Sequence, residues 1–202
     1  MSSTQEPIFF DMETMGLYPT REKILTINLR YRGENIIFKE WEKGEKAIIE
    51  QFYEFTTNSL IRKNAKFIGF NILEFDVEFL LERLHHQDYD KSEIDKRWER
   101  FARHLAYIDM RQLLGGSGGK FSKWRSALTG VKPNEMKIFQ LKKSDPFTYA
   151  GDLIPIFYGK GEFTKIEEYV NDELEGMEKM YNAIKKETYY QELQKLRDKT
   201  FR

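Results

Sequence analysis

Asp11 and Glu13 stand two positions apart in Ile8-Phe9-Phe10-Asp11-Met12-Glu13-Thr14, a run with the apolar content of a buried strand. A strand repeats every two residues, so both carboxylates leave the same face. Two like charges held together need a cation. Unpaired buried anions cost on the order of several kcal/mol, and a divalent metal ion lets both stay ionised at neutral pH. Two exposed acids on a strand edge would show the same spacing. A third carboxylate, Asp76, follows Gly69-Phe70-Asn71 and Phe75 on the first turn of an expected helix. That puts it near the carboxyl end of a sheet, where open α/β folds bind ligands. Taken alone, an acid in the place of Asp76 more often complements a helix dipole.

The elements that must position these acids read as an α/β order. Pro7 to Thr14, Lys23 to Tyr31 and Ile36 to Trp41 predict three adjacent strands, the last two joined by a turn at Arg32-Gly33-Glu34-Asn35. Residues 45 to 62 carry Ile48, Ile49, Phe52 and Phe55 at helical spacing; a strand from Lys66 to Asn71 and a helix with Phe75, Phe79 and Leu80 follow. A charged helix from about Ser92 to Leu105 leads into a last strand, Ala106 to Met110. Beyond the glycine-rich loop Gly115 to Gly119, helices are expected at Phe121 to Leu128 and Thr164 to Lys186. The second has the stripe Ile166, Val170, Leu174, Met177, Tyr181 and Ile184.

A chain of 202 residues, 40% hydrophobic and 15% aromatic, can build a core, which excludes global disorder. Lys plus Arg and Asp plus Glu balance at 33 each, so the chain is not a globally basic nucleic-acid binder. The charges are segregated nonetheless. Gly115 to Lys143 has seven basic residues against one acid, and Gly161 to Glu178 has seven acids against one lysine. These suit a phosphate track beside a cation site. The absence of cysteine excludes disulfides, thiolate zinc sites and cysteine nucleophiles, and fits a reducing cytoplasm. No stretch reaches the ~20 apolar residues of a membrane span, and Met1 to Glu6 lacks a signal peptide's apolar run. A soluble, cytoplasmic protein is expected.

Lys120-Phe121-Ser122-Lys123-Trp124-Arg125 interleaves cations with aromatics, as where a nucleic-acid strand is tracked. It is also an ordinary amphipathic helix in which Phe121, Trp124, Arg125 and Leu128 share helical spacing, with Trp124 toward the core and the lysines free to meet phosphates; Lys120, Lys123 and Arg125 are the expected nucleic-acid contacts. Gly115 to Lys120 is no P-loop, because the glycine spacing is one short and Phe121 replaces the needed Ser or Thr. His85 and His86 read as a helix end.

Phe10-Asp11-Met12-Glu13-Thr14-Met15-Gly16-Leu17 resembles the first motif of the DEDD 3′–5′ exonucleases, and Phe67-Ile68-Gly69-Phe70-Asn71 with Phe75-Asp76 resembles their second. Ile108-Asp109-Met110-Arg111 and the stretch Gly151 to Tyr181 are similar to segments of the family-B DNA polymerase proofreading domain and its stand-alone relatives. The resemblance spans roughly residues 7 to 185. It implies an RNase H-like mixed sheet, three antiparallel strands and then two more, flanked by helices. The expected domain is 1–186, with a charged helical tail at 187–202.

The third motif departs from the family's pattern. The tyrosine subclass has an aspartate four positions after its tyrosine, whereas Tyr169 is followed by Asp172 at three and Glu173 at four. At ~100° per residue, Glu173 falls about 50° from the centre of the apolar stripe and Asp172 about 150° from it. Glu173 is therefore expected as the fourth metal carboxylate, with Asp172 facing solvent as the fallback. His104 and Asp109 have the spacing of the histidine subclass, but Asp109 falls at a strand end, where a capping role suits it, and not on a late helix. The resemblance implies two divalent ions, Mg2+ or Mn2+, held by Asp11, Glu13, Asp76 and Glu173, with the Tyr169 hydroxyl orienting the attacking water. It further implies nucleic-acid contacts at Thr14, Leu17, Asn71 and Phe75. The expected activity is release of 5′-mononucleotides from the 3′ ends of single-stranded DNA. RNA as substrate, and an inactive nucleic-acid-binding module of the same fold, are the alternatives.

Overall fold

The computed structural model describes residues 6–58, 65–104, 107–115, 119–142 and 153–186. The expected tail at 187–202 lies outside the described residues. Packing divides the chain into two compact units, residues 1–108 and 109–202.

The first unit is built on a sheet in the order β3-β2-β1-β4-β5. Its strands are β1 (Glu6–Thr14), β2 (Ile24–Tyr31), β3 (Glu34–Lys39), β4 (Ala65–Gly69) and β5 (Tyr107–Asp109). β1, β2 and β3 form an antiparallel meander, and β4 joins β1 in parallel. The mixed sheet, three antiparallel strands and then two more, is as the resemblance implies. The β2–β3 turn is tighter than expected: Arg32 and Gly33 both have positive φ, the two-residue turn whose twist matches the strands, and β3 resumes at Glu34. β3 also ends before Trp41, because Glu40–Lys43 turns into a short helix, α1.

Alternation along β1 sorts the side chains. Ile8, Phe10 and Met12 enter the apolar core, where Ile27 and Leu29 of β2 and Phe67 of β4 meet them. Helix α2 (Glu45–Thr57) adds Ile48, Ile49 and Phe52, and helix α3 (Asp76–Leu84) adds Phe79, Leu80 and Leu84. Phe52 stacks between Phe10 and Phe101, with both centroid distances 5.2 Å. Truncating such a buried ring to alanine costs about 3–5 kcal/mol, so this cluster fixes where β1 sits. Asp11 and Glu13 necessarily leave the other face. Helix α4 (Lys91–Glu99) starts on Asp90, whose side chain accepts from Glu93 N–H, and runs into a wider turn at Arg100–His104.

The second unit is helical: α5 (Met110–Leu113), α6 (Phe121–Thr129), α7 (Lys137–Lys142), α8 (Leu153–Gly159) and α9 (Phe163–Ile184). Asp109 accepts from Arg111 N–H at 2.9 Å and caps α5, the capping role the sequence suggested. α9 packs on α6, α7 and α8. Ile166, Val170, Leu174 and Met177 of the expected stripe are buried, together with Gly176 and Met180. Tyr181 and Ile184 are half-buried. Trp124 is fully buried, as its helical spacing predicts.

Candidate active site

In the first unit, the acids are positioned by the ends of β1 and β4. Pairing of β1 with β4 stops at Phe9–Ile68, three residues short of Met12. β4 then turns sharply. A side chain at Gly69 would lie 2.5 Å from the Phe10 carbonyl oxygen, so only glycine lets the strand end this close to β1. Asn71 follows with a φ of 68°, a left-handed conformation that asparagine tolerates. The turn delivers Asp76 as the first residue of α3, buried, with Oδ1 accepting the Met12 N–H at 2.9 Å. Asp76 thus takes the place of the missing strand partner and sets its carboxylate against β1 between Asp11 and Glu13. The helix-dipole role is also met, since Asp76 opens the helix.

Asp11 and Glu13 lie directly across β2 from Asn28 and Thr26. Asn28 Nδ2 donates to Asp11 Oδ2 at 3.3 Å. Burial pushes the Asp11 carboxyl up to about 7, against the hydrogen bonds from Asn28 and the Met12 N–H that lower it. A carboxyl poised there gains from a nearby cation. The donor set fits a hard divalent ion: carboxylate oxygens, with no cysteine in the chain. Two further buried oxygens on the same face, Asn28 Oδ1 and Thr26 Oγ1, have no hydrogen-bond partner among the described residues. Sequence reasoning missed Asn28 and Thr26, although both are polar residues at period two inside an apolar strand.

The loop after β1 carries the other expected contacts. Thr14 Oγ1 donates to the Gly16 carbonyl at 2.6 Å and shapes the loop's first turn. Leu17 is exposed and lines, with Phe75, Phe79 and Pro19, a cleft of about 350 Å³. Phe75 packs on Phe79 at a centroid distance of 5.5 Å. Leu17 and Phe75 are thus brought together, while Asn71 serves the turn.

In the second unit, Tyr169 and Glu173, four residues apart on α9, line a cleft of about 390 Å³ with Lys120, Phe121, Phe139 and Lys142. Two expectations are corrected here. Asp172 does not face solvent: it accepts from Arg125 Nη1 at 2.7 Å and Nη2 at 2.8 Å, and from Lys137 N–H at the start of α7 at 3.0 Å. Burial alone would raise its pKa, but these donors outweigh it and hold the carboxyl below its ordinary range. Arg125 is not a surface cation either. It is buried, with both terminal nitrogens engaged by Asp172. The wheel failed because it weighed only the apolar stripe, while a buried guanidinium 47 residues away covers the polar flank. Lys120 and Lys123 are exposed, as expected.

A mixed sheet of this order, with acids on its central strand and at the head of the helix after β4, is the RNase H-like fold. The chain belongs to the RNase_H superfamily, whose model RNase_H_2 matches residues 8–134. An uncharacterized protein of Methanocaldococcus jannaschii is 32% identical over 114 residues, 56% of this chain and 57% of that protein. The chain therefore spans less than two thirds of that relative. The family B DNA polymerase of the hyperthermophilic archaeon Pyrobaculum calidifontis matches with a TM-score of 0.67 at 13% identity, over 89% of this chain and 24% of the polymerase. Exonuclease I matches with a TM-score of 0.52 at 13% identity, over 98% of this chain and 43% of that one. These structural likenesses are of fold. They bear out the RNase H-like fold that the resemblance of the first two motifs implies. No helix among the described residues is long and apolar enough to cross a membrane.

Proposed function

We propose that this chain is a divalent-metal-dependent 3′–5′ exonuclease that releases 5′-mononucleotides from single-stranded DNA. The observation that best supports the reading is the hydrogen bond from Met12 N–H to Asp76, which brings that carboxylate to the backbone of the residue between Asp11 and Glu13. A pair of Mg2+ or Mn2+ ions, when bound, supplies an activated water and offsets the charge that develops on the phosphate and the departing oxygen.

Asp11, Glu13 and Asp76 hold the ions from the first unit, and Glu173 supplies the fourth carboxylate. Glu173 is preferred to Asp172 because both Asp172 oxygens are committed to Arg125 and Lys137. Tyr169, on the same cleft as Glu173, orients the attacking water through its hydroxyl, a neutral donor and acceptor. Leu17 and Phe75 offer apolar contacts to the terminal bases in a cleft that Glu74, Glu78 and Glu82 also line, and Lys120 and Lys123 meet the phosphates. Thr14 and Asn71 contribute through the loop and turn that set this surface.

Matched DNA and RNA oligonucleotides, each labelled at the 5′ end, test the reading. A descending ladder from DNA in Mn2+ supports it. Release of the labelled 5′ nucleotide first would reverse the polarity, and a ladder from RNA alone would move the substrate to RNA.

A further inference from the structure

The face of the sheet that carries Asp11 and Glu13 also carries two groups the reading above does not use. Thr26 and Asn28 pair directly with Glu13 and Asp11 across the β1–β2 ladder, so their side chains leave the same face with Cβ atoms about 4.5–5.5 Å from their partners. Both are 0% exposed. Their strand neighbours Ile27 and Leu29 belong to the apolar core on the opposite face. Asn28 Nδ2 donates to Asp11 Oδ2 at 3.3 Å, which leaves Oδ1 as the acceptor atom of the same amide. Asn28 Oδ1 and Thr26 Oγ1 then stand buried beside two acids with no donor among the described residues. Buried polar atoms are rarely left this way. Apolar side chains of similar shape would fit a strand whose first six residues are all buried, and the sequence does not use them.

We propose that Thr26 and Asn28 are positioning residues, whose oxygens accept hydrogen bonds from the hydration water of a divalent ion held by Asp11 and Glu13. This rests on the metal-centre reading above and goes beyond it by assigning the layer outside the carboxylates. Water on a dication directs its hydrogens outward, so the matching partner is a lone pair with no competing donor. Mg2+ gives up water reluctantly and keeps several molecules when bound by carboxylates. Two acceptors one strand repeat apart, ~6.6 Å, match the spacing of the acids they face. Asn28 does two things: its nitrogen fixes the Asp11 carboxylate, and its oxygen serves the water.

Calorimetric titration of the full chain with Mn2+, together with thermal melting in EDTA, tests the assignment. Thr26→Val should weaken Mn2+ binding about tenfold, the lower end of the range for groups outside the ligand shell. In EDTA the same variant should melt no lower than wild type, because it removes an unsatisfied buried hydroxyl. Thr26→Ser restores the hydroxyl and should restore Mn2+ affinity. Wild-type affinity in Thr26→Val overturns the assignment, as does a weakening that Thr26→Ser shares or that a lower melting temperature in EDTA accompanies. A wild-type chain that takes up no Mn2+ overturns the metal centre as well, which separates the two failures.

Discussion

Asp76 reaches 64 positions back along the chain to accept the backbone N–H of Met12 at 2.9 Å. One buried carboxylate thereby finishes the edge of β1 where β4 stops and stands beside two more acids on that strand. Folding and chemistry share the side chain. Asp76→Asn keeps an acceptor oxygen and should fold with little loss, while Asp76→Ala leaves the Met12 N–H unsatisfied and should cost about 1–3 kcal/mol. Both should lose Mn2+ affinity. Urea unfolding in EDTA separates these effects, and equal stability of the two variants would show that the hydrogen bond does not matter to the fold.

The second unit hangs on a different pair. Gly176 lies one turn beyond Asp172 on α9, and a Cβ there would stand 2.7 Å from Arg125 Nε and 2.8 Å from its Cζ. Asp172→Ala should cost about 3–5 kcal/mol by leaving the Arg125 charge buried and unpaired. Gly176→Ala should destabilise the wild type by collision, yet stabilise an Arg125→Ala background by about 1 kcal/mol through helix propensity. A double-mutant cycle in urea reads the reversal; additivity would contradict the packing described for Arg125.

Asp11 and Asp172 should give opposite pH dependences. The Asp11 carboxyl is raised to about 7, so the folded chain keeps a proton that the unfolded chain releases from pH ~4 upward. Its contribution to metal-free stability is fully present below pH ~4 and is lost as pH rises toward 7, and Asp11→Asn should remove that loss. Mn2+ affinity should rise across the same interval, because the ion competes with the proton. Asp172 is lowered, so its contribution is present above pH ~4 and is lost on acidification below it. Melting curves in EDTA from pH 3 to 8 on wild type, Asp11→Asn and Asp172→Asn check both signs.

What the sequence made legible follows from the range of the forces involved. β1 and β2 were readable because their apolar runs are local signals, and Asp11 with Glu13 because strand alternation alone puts them on one face. Asp76 was placed near them by its position after β4. The short helices at Lys137–Lys142 and Leu153–Gly159 were not predicted, since one or two turns carry too few apolar positions to show a period. Asp172 was misjudged because its environment is made by Arg125, and no local pattern announces a partner 47 residues away. Thr26 and Asn28 left a visible trace in Ile24-Leu25-Thr26-Ile27-Asn28-Leu29, whose polar residues recur at period two. A strand expected to be buried should not contain them without a use.

The most direct test of the account is Mn2+-dependent release of mononucleotides from a single-stranded DNA oligonucleotide by wild type, Asp11→Ala and Glu173→Gln. The wild type should release them. Asp11→Ala should abolish release, and Glu173→Gln should reduce it by at least about a hundredfold, the loss expected when a group that stabilises developing charge is removed. Release that survives Asp11→Ala at the wild-type rate, or no release by the wild type itself, would contradict the assignment of a nuclease centre to these acids.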